Sequence, residues 1–104
     1  MDQQQLVEIF LPNRRGDGSA VERGWFNAFV KELSDKFGGV TSFARAPGEG
    51  LWEEGKKTEK DDIAVIEVMV KQLDELYWSH LKARLERELQ QEEIVIRASA
   101  IGRL

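Results

Sequence analysis

Four charged residues each fall inside a segment rich in β-forming residues: Glu8 in LVEIFL, Arg45 in VTSFARA, Glu67 in DIAVIEVMV and Arg97 in IVIRAS. Charge among apolar neighbours is expensive unless it is paired, solvated by a pocket or neutralised. A guanidinium can clamp an acidic or carbonyl group, and a carboxylate beside it can accept a proton or a hydrogen bond. The same set could equally form a structural charge ladder that fixes strand register or the orientation of two copies. Residue types alone leave both readings open.

The other chemistry-bearing residues are sparse. His80 is the single histidine, and there is no cysteine. This removes disulfide frameworks, thiol nucleophiles and thiolate metal sites. It also leaves His80 without the partners that a nucleophilic or metal constellation needs. Trp52 lies in a glycine-flanked loop beside Glu49, Glu53 and Glu54, where a large apolar side chain serves either as an anchor or as a lid over a pocket. Glu92 and Glu93 could meet an ion together with Glu53 or Glu54, but acidic pairs at element ends are commonplace, and neither a metal nor a cofactor is expected. Lys82 with Glu86 and Arg84 with Glu88 stand four residues apart and read as a solvated helix surface.

Those residues are positioned by six expected elements in 104 residues, the size of a single domain spanning 1–104. Residues 6–11 read as a first strand, stopped by Pro12 and a polar turn from Asn13 to Gly18. Ser19 and Glu22 have capping-box spacing and mark a helix start. Phe26, Phe29, Val30, Leu33 and Phe37 form its apolar stripe, and Gly38 and Gly39 end it. Strands follow at 40–46 and 62–70, separated by a long loop, about 47–61, that is expected to be partly mobile. Asp74 caps a second helix running to about residue 90, with Tyr77, Trp78, Leu81, Leu85 and Leu89 inward. Residues 94–99 make the last strand.

The order β-α-β-β-α-β predicts an α+β chain of ferredoxin-like form, a four-stranded antiparallel sheet with both helices on one face. The second sheet face should then be polar. Alternation instead puts Leu6, Glu8 and Phe10 with Ile63, Val65, Glu67 and Met69 on it, while Val7, Ile9 and Leu11 face the helices with Ala64, Ile66, Val68 and Val70. An apolar patch of that size predicts a homodimer joined through the sheets. With strand order four, one, three, two, the charged set would read Arg97, Glu8, Glu67, Arg45 across the sheet.

Net charge of −4, with basic residues dispersed among acids, argues against nucleic acid as a partner. No run of eighteen apolar residues and no signal-like N-terminus are present, so the expectation is a cytoplasmic protein without a membrane partner.

The run FGGVTSFARAPGEGLWEEG, with DDIAVIEVMV and QQEEIVIRA, resembles a family of small uncharacterised bacterial proteins over nearly the whole chain. The resemblance implies the ferredoxin-like fold and carries no activity. By architecture alone the chain is also similar to dimeric α+β barrels, among them cofactor-free monooxygenases and haem-degrading monooxygenases. The latter imply an asparagine, a tryptophan and a histidine around a pocket, for which this chain offers Asn13, Trp52 or Trp78, and His80. The expected function is a dimeric small-molecule-binding or interaction domain, with a monooxygenase-like enzyme as the alternative. The residues to test are Glu8, Arg45, Trp52, Glu67, His80 and Arg97.

Overall fold

The structure, a computed structural model, describes the backbone of residues 2–45 and 63–104 and the side chains of residues 4–40 and 63–104. Its element order is β1 (Asp2–Pro12), α1 (Arg23–Phe37), β2 (Val40–Arg45), β3 (Ile63–Val70), α2 (Glu75–Glu88) and β4 (Ile96–Arg103). The chain is thus α+β, and the order is compatible with the ferredoxin-like pattern. Trp52 and the expected 47–61 loop lie outside the described residues.

The described strands are all antiparallel and lie in the order β2-β3-β1-β4. Period-two alternation selects one face of β1 and β3 for the core: Val7, Ile9, Leu11, Ile66, Val68 and Val70 are buried against the helices. From α1 come Phe29 and Leu33, and from the α2 stripe Trp78, Leu81, Leu85 and, just past its end, Leu89. Phe37 stacks on Trp78 with ring centroids 5.3 Å apart, closing the end of the core between the two helices.

Several element boundaries differ from expectation. β1 begins at Asp2 and β4 runs to Arg103, because the polar Gln3–Gln5 segment pairs with Ala100, Ile101 and Gly102. The ladder extends along the edge even where the sequence lacks β-formers. Ile94, expected in the last strand, precedes it and is buried in the core. The capping box does not form. α1 starts at Arg23 behind Glu22, which makes no side-chain cap. Ser19 is instead taken by Asp17, whose Oδ1 accepts from the Ser19 hydroxyl at 2.6 Å and from its amide at 2.9 Å. Glu22 is taken by Arg15 at 2.9 Å. Both interactions hold the two carboxyls below their ordinary values.

The loop that made those competing bonds docks on the end of α2. The Gly16 amide donates to the Leu89 carbonyl at 3.1 Å, and the Asp17 amide donates to Gln90 Oε1 at 3.0 Å. A Cβ at Gly16 would stand 2.0 Å from the Gln90 carbonyl oxygen, so only glycine fits this approach. Asp74 caps α2 as expected, accepting from the Tyr77 amide at 3.1 Å. Among the described residues no helix is long and apolar enough to cross a membrane.

Candidate functional site

The sheet face turned away from the helices carries the charged set. β1 is central in the sheet, so Glu8 sits directly opposite Glu67 of β3 on one side and Arg97 of β4 on the other. Arg97 Nε donates to Glu8 Oε1 at 2.7 Å, and its guanidinium lies 4.8 Å from the Phe10 ring centroid. Glu8 is the inner partner, its side chain 15% exposed against 60% for Arg97. Glu67 is half-buried and makes no ion pair among the described residues. Of two carboxylates directly opposite one another, the guanidinium therefore engages only Glu8.

The expected fourth member does not join this row. Thr41 of β2 pairs opposite Glu67, whereas Arg45 pairs with Ile63, four residues further along β3. The register explains the miss: β2 starts at Val40 opposite Val68, so its charged end lies at the far end of the strand from Glu67. The expected strand order is present, and the row Arg97, Glu8, Glu67 with it, but Arg45 is not part of the row.

The open face is also less apolar to solvent than its sequence implies. Val65 is fully buried, while Leu6, Phe10 and Ile63 are half-buried. Met69 and Val95 remain about half exposed, at 46% and 48%.

His80 is exposed and lies far from that row, on the outer side of the helix layer. It borders a shallow depression of about 170 Å³ with Glu32, Tyr77, Leu81 and Arg84. Arg84 fills the adjacent groove, donating from Nη1 and Nη2 to both Glu32 oxygens at 2.9 Å, and so ties α2 to α1. The Tyr77 hydroxyl is buried there without a hydrogen bond, and burial pushes its pKa up, with the Glu32 charge adding to the effect. The Arg84–Glu32 pair is an interhelix clamp, and among the described residues no hydrogen bond to the His80 side chain is found. Trp78, offered for an aromatic pocket wall, is buried in the core, and Asn13 accepts at its carbonyl from the Val21 amide. Neither lines His80's depression, and Trp52, the other tryptophan offered, lies outside the described residues.

Lys82 and Glu86, read from sequence as solvated surface, have a different role. The Glu86 carboxylate accepts from the Ile94 amide at 2.9 Å, Lys82 Nζ donates to the Ile94 carbonyl at 2.9 Å, and the two side chains pair with each other. Together they satisfy the backbone of a buried residue outside any ladder. Pairing with Lys82 and the Ile94 amide lowers the Glu86 pKa, and pairing with Glu86 raises that of Lys82. The four-residue spacing was legible, but its target, eight residues beyond Glu86, has no periodic signature. Glu93 lies 3.6 Å from Lys82, and among the described residues no group of three or more His, Asp or Glu gathers as a cation site.

No protein-family model matches the chain and no curated protein matches it, so the site is read from its own chemistry.

Proposed function

We propose that the chain is a binding or interaction domain of ferredoxin-like fold that works as a homodimer of the α+β barrel type, with a second copy covering the open sheet face. The observation that carries this reading is the unequal charge row. Arg97 is mostly exposed and spends only Nε on Glu8, while Glu67, about 10 Å away across two strand spacings, has no cation among the described residues. A two-fold arrangement is self-complementary: each exposed guanidinium edge meets Glu67 of the partner subunit, and Met69 and Val95 supply apolar contact. The clefts of about 580, 260 and 170 Å³ are lined by residues other than Glu8, Glu67 and Arg97. Among the described residues no complete catalytic constellation supports the enzyme reading.

The test is sedimentation over a concentration series for wild type, Glu67→Gln and Met69→Lys. A wild-type dimer, weakened by Glu67→Gln and split by Met69→Lys, is expected. Met69 is the residue to change because Val65 is fully buried within one chain, and a charge there would unfold the monomer. A wild-type monomer at every concentration overturns the reading.

A further inference from the structure

At the end of the sheet where β3 and β4 finish and α1 stops, the surface opens into a cleft of about 580 Å³. Its walls carry Lys36, Lys71 and Arg103, with no aspartate or glutamate among the described residues that line it, on a chain whose net charge is −4. None of the three cations pairs with a carboxylate among the described residues. Lys36 lies over aromatic faces, its Nζ 4.7 Å from the Tyr77 ring centroid and 5.6 Å from that of Phe37. Asp2 pairs opposite Arg103 in the backbone ladder.

A second observation points to a ligand. Gln4, a polar residue only 7% exposed, lines the cleft beside these cations. Its N–H groups can donate to an oxyanion held in the cleft. The floor is apolar, made by Phe37, Met69 and Val70. The volume falls within the roughly 300–1,000 Å³ of small-molecule sites.

We propose that this cleft binds a small organic anion, its carboxylate or phosphate head held by Lys71, Arg103 and the Gln4 amide, its apolar body lying on Phe37 and Met69. Lys36 adds the third positive charge. The proposal names the ligand class for the binding-domain reading and rests on that reading, but not on self-association: titration reports one and sedimentation the other.

The experiment is a titration of the full chain followed by backbone amide shifts, using hexanoate, hexyl phosphate, hexanamide and inorganic phosphate as probes. One or both hexyl anions shift the amides of Gln4, Val70, Lys71 and Arg103, and which one binds tighter identifies the head group. Hexanamide and inorganic phosphate each bind at least about tenfold more weakly, one lacking the charge and the other the apolar body. The double variant Lys71→Gln/Arg103→Gln, changed at exposed positions and checked for an unaltered near-ultraviolet spectrum, loses binding at least about tenfold. Lys31→Gln, at an exposed cation on α1 outside the cleft, leaves it unchanged. Absence of saturable shifts overturns the proposal. So does equal binding by the double variant, or inorganic phosphate binding as tightly as the hexyl anions.

Discussion

The two faces of the same two strands have nearly the same apolar content, yet they treat charge differently. On the helix side every half-buried charge has a fixed partner: Glu86 has Lys82 and the Ile94 amide, and Arg84 has Glu32. On the open side Glu8 has Arg97 and Glu67 has no ion pair among the described residues. On the helix side the charges are matched within one chain, although the Tyr77 hydroxyl is buried there without a hydrogen bond. A face left half-satisfied is where a second body can still contribute. The comparison predicts that substitutions on the two faces will report different events, folding on one and association on the other.

The largest contrast comes from truncating apolar side chains at neighbouring positions of β3. Ile66→Ala, at a fully buried site among Ile9, Leu33 and Leu85, lowers unfolding free energy by about 2–5 kcal/mol. Met69→Ala, on the open face, changes the unfolding free energy of the monomer by no more than about 0.5 kcal/mol. Urea denaturation at a protein concentration below the dissociation constant of any dimer separates them. Equal losses would erase the distinction between the faces.

A smaller effect tests the finished polar pairing of the helix side. The folded-state pKa of Glu86 lies below its ordinary value of 4.5. Its contribution to stability is therefore complete above that value and disappears as pH falls through the folded value. Glu86→Gln lowers the urea midpoint at pH 7 by less than the core truncation does, and its difference from wild type closes on acidification. Asp17 and Glu22 are also held low and titrate in the same window, so the readout is the difference between the two proteins rather than the wild-type curve alone. Lys82 gives the opposite sign. Its raised pKa makes a contribution present below its ordinary 10.5 and lost as pH rises through the folded value. A constant gap between wild type and Glu86→Gln from pH 7 to pH 3 would contradict the pairing.

The division between faces was legible because strand alternation is local: Val7, Ile9 and Leu11 against Leu6, Glu8 and Phe10 needs no knowledge of register. Adjacency across the sheet does need it. The Glu8 and Glu67 pair follows from strand order and centring, since both stand mid-strand. Arg45 stands at a strand end, where a shift of four residues in β2 removes it from the row. The capping box at Ser19 and Glu22 failed for a similar reason, since Asp17 and Arg15 compete for the same two side chains from within the loop. The cationic cleft was missed because Gln4, Lys36, Lys71 and Arg103 belong to four separate segments. Only the alignment of the ends of α1, β3 and β4 with the start of β1 brings them together. Noticing that the topology sends those ends to one edge, each with a basic residue, would have found it.

The smallest expected effect is also the one that divides folding from association most sharply. Glu67 stands directly opposite Glu8, and like charges in a cross-strand pair disfavour the fold. Glu67→Gln removes that repulsion while keeping shape and hydrogen-bonding capacity, so the isolated monomer gains about 0.2–1 kcal/mol. The dimer moves the other way, because the amide cannot hold the exposed edge of Arg97 from the partner subunit as an ion pair does. Denaturation at low protein concentration and sedimentation at high concentration should therefore change in opposite directions for one substitution. If both improve, the Glu67 carboxylate has no cationic partner in the assembly, and its place beside Glu8 is a cost that the open face carries without return.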